Sequence, residues 1–575
     1  MHAADAVGTP RPQFLPSGRT ALLTGLALYI AAVALWPLAR LFAEALAAGD
    51  DGEPLGLLLE QWRSVSTLRA LRNTIEVSVL STVLSVALGT AGAAVVMLSD
   101  IRARSAVVFV LLLPLLIPSQ ITALAWIELT GSSSPILNAL GLAPAPGRTN
   151  PLYSKWGIVL VMGIEHAGLV FLAVRAGLYN LPRDLVEAAR LAGARPPRIV
   201  RSVVLPLALP SVLSGAALAF VASIGNFGVP ALLGIPGRYT VLTTLIYQRL
   251  QGFGPSVLGE VAAIAIILTG LAALGLLLRA IFARAYGAKV ERSALALEPF
   301  ALRGARMPVE FIIWAVLLLI SVLPLIALLG SALLPALGVP LGFDTATFEN
   351  FRFVLFGYEA AQRAFANSFT LAAVAALVSA LAVLPLAYFA VLEKSRIARM
   401  LDLLVDTPYA VPGTVLGIAM ILVFLPPLPV LGFSIYNTGW IILVAYLARF
   451  LALAARPAMA AMEGLDPALD EAARIAGART FRRLKAVILP VVAPSLAAGG
   501  LLIFMQAFNE LTVSALLWSS GWETLGVVVF FLHREGNSPA AAALAALSLV
   551  VTLSLAAGFS LCARWLPRGV VPWRA

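Results

Sequence analysis

Apolar residues run in blocks of about 20 along the whole chain, and the polar residues between them gather into short, mostly basic stretches. A block that long is enough to cross the hydrocarbon core of a bilayer as a helix. The alternating ten-residue pattern of a membrane β-barrel is not visible. The pattern predicts spans near residues 20–45, 71–97, 106–130, 157–178, 207–230 and 257–283, then 308–335, 366–391, 400–425, 439–460, 491–517 and 537–563. The expected fold is all-α and polytopic, with about twelve transmembrane helices.

Pro114 and Pro118 fall inside the third block, and Pro408 and Pro412 inside the ninth. Each removes a backbone donor, and such breaks persist where neighbouring helices or a water-filled cavity satisfy the freed carbonyls. A packing kink and a pathway-lining break are both open at these positions.

Composition agrees with the pattern: of 575 residues 60% are hydrophobic and 12% charged, where a soluble protein carries about 25% charged residues. The net charge of +11 does not form a patch for nucleic acid. Its basic residues lie in loops on alternate sides of the spans, as the positive-inside rule requires. These loops hold Arg102 and Arg104, Arg183 to Arg201, Lys289 to Arg306, Lys394 to Arg399 and Arg474 to Lys485, with Arg564, Arg568 and Arg574 in the tail. Arg63, Arg69 and Arg72 are exceptions on the other side. Both termini are expected to be cytoplasmic. The first block is too long for a signal peptide and lacks a small-residue cleavage site, so it reads as a retained span. Cys562 has no partner for a disulfide, and His2, His166 and His533 are too scattered for a metal motif. The expected organisation is a tail 1–19, a membrane unit 20–283, a linker 284–307, a second membrane unit 308–563 and a tail 564–575.

The chain repeats itself. Residues 187–210, EAARLAGARPPRIVRSVVLPLALP, align with 471–494, EAARIAGARTFRRLKAVILPVVAP, at an offset of 284 with 13 of 24 positions identical. Asn73-Thr74 matches Asn367-Ser368, and Pro114 and Pro118 match Pro408 and Pro412, at an offset of 294. The first copy therefore carries ten extra residues between its third and fourth spans, in the loop around 132–155. An even number of spans per copy makes the repeat parallel, about an axis along the membrane normal.

The two repeated loops are long for connections between membrane helices. Glu-Ala-Ala followed by Arg and a small residue before Gly reads as a short helix with a glycine stop. Charge as a topology signal explains the arginines, but not a repeated Glu, Gly and Leu-Pro at fixed spacing. A docking helix that sits in a groove of another protein explains both. The pattern EAA, three residues, Gly, nine residues, a β-branched residue, one more, then Leu-Pro is similar to the signature loop of type I binding-protein-dependent ABC importer permeases. Glu187, Ala188, Ala189, Gly193, Val203, Leu205 and Pro206 match it in the first copy, and Glu471, Ala472, Ala473, Gly477, Val487, Leu489 and Pro490 in the second. The family more often has Ile where Val203 and Val487 stand.

That resemblance covers essentially the whole chain and implies two parallel six-helix repeats in a bacterial inner membrane. It implies that Glu187 and Glu471 touch two copies of an ATP-binding subunit, and that a periplasmic solute-binding protein delivers cargo. No Gly-x-x-x-x-Gly-Lys-Ser/Thr loop occurs, so ATP would be handled by the partner. No catalytic dyad, metal cluster or cofactor motif is visible, and no cofactor is expected. A secondary transporter shares twelve spans and duplicated halves but has no need of duplicated docking loops.

Charges inside a bilayer usually carry a function or a partner. Glu165 in the fourth span and Arg449 in the tenth occupy matched positions, which suggests an ion pair across the twofold axis or, alternatively, pairing within each half. Asn226 and Glu510 are a second matched pair, readable as pathway residues or as structural hydrogen-bonding groups. His166 reads as a satisfied core histidine. Residues 226–250 and 510–530 resemble the fused ferric-iron permeases, although similar chains serve thiamine and 2-aminoethylphosphonate. The resemblance thus favours ferric iron as cargo.

Overall fold

The computed structural model describes residues 18–47, 52–252, 257–286, 299–429 and 432–562. The tail residues Arg11 and His2, the linker residues Lys289 and Arg292, and the C-terminal arginines lie outside them. Among the described residues the secondary structure is helical, with a single isolated bridge between Ser99 and Phe300 and no strand.

Ten helices are long and apolar enough to cross a membrane, and two sharply bent helix pairs raise the count to twelve. The first six spans are Gly18–Ala45, Val65–Leu98, the bent pair Arg104–Leu116 and Ser119–Ala139, Lys155–Tyr179, Pro196–Gly225 and Val257–Phe282. The second six are Arg303–Ala332, Glu359–Leu392, the bent pair Arg396–Ala410 and Gly413–Phe424, Gly439–Glu463, Thr480–Phe508 and Ser538–Leu555.

The bent pairs turn through 103° and 107°. The break falls one residue before the second proline of each pair. Ile117 and Val411 are extended, with ψ of 133° and 136°, because a following proline ring disfavours the helical region. Pro114 and Pro408 remain inside their helices. The arms after the breaks, Ser119–Thr130 and Gly413–Phe424, are almost wholly buried. The two breaks therefore deliver backbone to the centre of the molecule rather than to lipid.

The fifth and eleventh spans begin about ten residues before their expected starts at 207 and 491. Leu-Pro does not mark entry of a new helix. Each Leu-Pro lies within a helix that passes through a π-turn, at Val200–Val204 and Leu484–Ile488. Proline has no N–H and clashes with the carbonyl four residues back. The wider i→i+5 pairing, Leu205 N–H to Val200 O and Leu489 N–H to Leu484 O, accommodates the ring without ending the helix.

In each half the second, fourth and fifth spans form one bundle, repeated by the eighth, tenth and eleventh. Bundles in lipid hold together through close packing of small residues. At Gly215 an added Cβ would lie 3.1 Å from Val170 Cα, and at Gly499 2.7 Å from Ala454 Cα. Both contacts recur at the 284-residue offset. The first span of each half crosses over. Gly18–Ala45 packs on the eighth, ninth and tenth spans, and Arg303–Ala332 packs on the two arms of the third. Each half thus contributes one helix to the other's wall.

The matched Asn-Thr and Asn-Ser pairs have the same work in both halves. Asn73 Nδ2 donates to Thr240 O at 2.9 Å, and Leu242 N–H donates to Thr74 Oγ1 at 2.9 Å. Asn367 Nδ2 donates to Gly521 O and Glu523 O at 3.0 Å, and Leu525 N–H donates to Ser368 Oγ at 2.9 Å. These bonds seat the short helices Leu242–Leu250 and Leu525–Arg534 between the fifth and sixth spans of each half. Free N–H groups at a helix start need such partners.

Candidate functional site

The two repeated loops form short helices at one face of the molecule, Arg183–Leu191 and Ala468–Ile475. Each ends in a left-handed glycine, Gly193 at φ +77° and Gly477 at φ +78°. The closing bonds are those of a Schellman motif. Gly193 N–H donates to Arg190 O and Ala194 N–H to Ala189 O, matched by Gly477 to Arg474 and Ala478 to Ala473. The motif glycine is required because an L side chain rarely adopts that φ.

Glu187 is half-buried and accepts from Arg183 one turn earlier, and Glu471 is exposed. The outward face beside them carries a stripe that the motif does not mention. Leu185, Ala188 and Leu191 in one helix match Leu469, Ala472 and Ile475 in the other. Leu191 and Ile475 are 91% and 89% exposed, and Leu185 and Leu469 are both 46% exposed. The two helices thus carry the same exposed apolar stripe. The repeated three-residue spacing of these residues along a helix is the signal in the sequence that could have found them. Leu205 and Pro206 lie on the exposed side of their helix, and Leu489 and Pro490 less fully so.

Behind these two short helices the halves differ. Val186 and Ile199 in the first half are 2% and 0% exposed and belong to an apolar cluster. Their matched positions in the second half hold Asp470 and Arg483, at 3% and 6% exposure. Arg483 Nη1 donates to both Asp470 oxygens at 2.9 Å. Arg474 Nε adds a bond at 2.8 Å, and Tyr388 Oη lies 3.2 Å from Asp470 Oδ1.

The crossed-over first spans are clasped to this layer. Arg19 Nε meets Glu393 Oε2 at 2.8 Å, and Glu393 Oε1 lies 3.5 Å from Arg474 on the second docking helix. In the other half Arg306 pairs with Asp100, whose Oδ1 also accepts from Leu302 N–H at 2.9 Å. Phe300 sits under Arg190 of the first docking helix, 4.8 Å from ring centroid to guanidinium. Leu302 N–H and then Arg306 hold the Asp100 carboxyl below the usual aspartate range.

Glu165 and Arg449 are not paired with each other. Glu165 bonds within its own half, accepting from Ser119 Oγ at 2.6 Å and Asn226 Nδ2 at 3.3 Å. Arg449 forms no ion pair with it, and Arg449 Nη1 is buried without a hydrogen-bond partner. The physical reason lies at matched positions 119 and 413. Ser119 supplies a hydroxyl to Glu165, whereas Gly413 leaves room for the guanidinium, whose Nη1 is 2.6 Å from where a Cβ would stand. Asn226 and Glu510 each accept from a backbone N–H three residues on, Val229 at 3.1 Å and Val513 at 2.8 Å. Both side chains thus cap the turn that follows them. His166 Nδ1 is 2.9 Å from Ser223 Oγ, a satisfied core histidine. Gln120 Nε2 donates to Asn509 O at 2.7 Å and ties the third span of one half to the eleventh of the other. Among the described residues no group of His, Cys, Asp and Glu could hold a metal ion.

Residues 68–288 and 383–571 match the family described as the inner membrane component of binding-protein-dependent transport systems. A protein of Sinorhizobium fredii named as an ABC transporter permease, y4fN, is 29% identical over 86% of this chain and 87% of its own. The Fe(3+)-transport system permease protein FbpB 2 of Haemophilus influenzae is 24% identical over 84% of this chain and 87% of its own. A Salmonella choleraesuis permease named for 2-aminoethylphosphonate transport, PhnU, is 27% identical over 39% of this chain and 78% of its own. The chain belongs to the family of binding-protein-dependent transport system inner membrane components: it is a fused, multi-pass permease component of an ABC importer.

Proposed function

We propose that this chain moves ferric iron from periplasm to cytoplasm, driven by two copies of a separate ATP-binding subunit. The observation that carries the coupling is the matched apolar stripe on the two docking helices, Leu185-Ala188-Leu191 and Leu469-Ala472-Ile475. Two equal surfaces fit two copies of one partner. Glu187 and Glu471 flank the stripes and pair with basic residues of the partner's groove, while Gly193 and Gly477 stop each helix at the right length. Ala189 and Ala473 keep its inner face small, and Leu205, Pro206, Leu489 and Pro490 carry motion into the spans. ATP binding closes the subunit pair, draws the docking helices together and turns the pathway from inward- to outward-facing, where a periplasmic solute-binding protein unloads. Both termini are cytoplasmic on this reading, with membrane units 20–283 and 308–563 joined by the linker 284–307.

The ferric cargo rests on the Haemophilus relative that matches across both halves. The PhnU relative, which matches over 39% of the chain, favours a phosphonate as the second reading. Uptake of labelled ferric iron and of 2-aminoethylphosphonate in cells with and without the chain separates them. Loss of iron uptake alone, reproduced by Glu187→Ala with Glu471→Ala, supports both cargo and coupling. Loss of phosphonate uptake alone moves the cargo, and normal uptake in the double variant refutes the docking role.

A further inference from the structure

A cavity of about 220 Å³ opens between the halves, lined by Tyr153, Ala231, Leu232, Ile235 and Pro236 from the first and His533 and Arg534 from the second. Its level in the molecule follows from the fourth span. Tyr153 directly precedes that 25-residue helix, and the first docking helix directly follows it. At about 1.5 Å per residue the helix separates them by about 37 Å, so the cavity lies at the face opposite the docking helices. That is the face at which an importer receives cargo.

Its polar groups come from both halves. Arg534 is exposed, reaches Tyr247 Oη at 3.3 Å and lies 5.6 Å over the Phe530 ring. Among the described residues no carboxylate forms an ion pair with it. Guanidinium stays charged at any relevant pH and presents a planar fork that matches an oxyanion. His533 is anchored through Nδ1 to Ser538 Oγ at 3.0 Å, which fixes the ring in the cavity wall. Tyr153 adds a phenol. Neither Glu128, which is 5% exposed, nor Glu535, which follows Arg534 in the chain, is part of the cavity wall. The apolar remainder suits a short aliphatic stem. The repeat does not duplicate the site: with Leu242 and Leu525 at matched positions, the residue matched to Arg534 is Gln251. A convergent set of a few polar groups in a largely apolar cleft between domains is the usual form of a small-ligand site.

We propose that this cavity is an outer loading site that holds an oxyanion group through Arg534 and Tyr153, with His533 in its wall. The inference rests on the importer reading, and the oxyanion is either the head of an organic cargo or the anion that accompanies a ferric ion.

The test uses the whole transporter in membranes, with Cys562→Ser and Ile235→Cys in the chain. Labelling of Cys at 235 by a neutral maleimide is followed against rising inorganic phosphate or 2-aminoethylphosphonate. Expected is protection by at least one of them, with the half-protecting concentration raised about tenfold or more by Arg534→Gln, the effect of losing a charge-assisted bond. Tyr153→Phe, which removes a single hydroxyl and serves if Arg534→Gln does not assemble, raises it about three- to tenfold. Protection by phosphonate alone assigns the oxyanion to cargo. Protection by phosphate, together with phosphate-dependent iron uptake lost in Arg534→Gln, assigns it to the accompanying anion. No protection by either probe, or protection that neither variant weakens, overturns the site. Because labelling does not depend on uptake, a wrong cargo assignment leaves this result readable.

Discussion

The repeat contains its own experiment on a buried ion pair. Positions 186 and 199 of the first half are Val and Ile, and the matched positions of the second half are Asp470 and Arg483. Replacing the pair by Asp470→Val with Arg483→Ile installs the residues that already pack at those positions in the sister half. Asp470 is 3% exposed and Arg483 6%, so each would be stranded by loss of the other. Removing one partner of such a pair costs about 3–5 kcal/mol, whereas replacing both by apolar residues of similar volume is often neutral or stabilising. Here each survivor keeps a secondary partner. Arg483 retains Glu393 at 3.6 Å, and Asp470 retains Arg474 at 2.8 Å. The single variants should therefore fall near the lower limit, about 3 kcal/mol, roughly a hundredfold in the folded ratio. The double variant should lie within about 1 kcal/mol of wild type, giving a coupling near 5 kcal/mol in a double-mutant cycle. Unfolding in mixed micelles titrated with denaturing detergent measures all four proteins. A double variant as damaged as the sum of the singles, or singles below about 1 kcal/mol, would refute the reasoning.

Leu191→Asp with Ile475→Asp should abolish ATP-driven uptake while the chain reaches the membrane in normal amount, because the side chains are 91% and 89% exposed and support no internal packing. Failure of the ATP-binding subunit to co-purify is the direct readout, and normal co-purification would count against the docking stripe. Gly499→Val places a side chain where a Cβ already approaches Ala454 Cα at 2.7 Å. It should destabilise the second bundle by about 1–3 kcal/mol, read as a lowered unfolding midpoint, and the same change at Gly304, where nothing is near, should not. The Asp100 clasp has a carboxyl held below its ordinary value by Leu302 N–H and Arg306. A depressed value means the stabilisation is complete above the ordinary aspartate pKa of about 3.9 and is lost as pH falls through the lower folded value. The advantage of wild type over Asp100→Asn in thermal stability should therefore be flat from neutral pH to about pH 5 and vanish in stronger acid. An advantage that vanishes between pH 7 and 5 would contradict the clasp.

Much of the protein is determined by sequence because lipid imposes a local rule. A helix in hydrocarbon must satisfy its own backbone, so the number of spans, the parallel repeat and the sites of the prolines were all readable from composition along the chain. The docking glycines were readable for a similar reason, since the left-handed stop is a property of one residue and its helix. Tertiary structure alone decided which elements meet. The exchange of first spans, the clasps Arg19–Glu393 and Arg306–Asp100, and the gathering of Tyr153, His533 and Arg534 around one cavity join residues hundreds of positions apart. The Glu165–Arg449 pair, one of the two readings of those matched positions, is absent on the same ground. Matched positions fix where two side chains start, but a hydroxyl at Ser119 and its absence at Gly413 decided where each charge went.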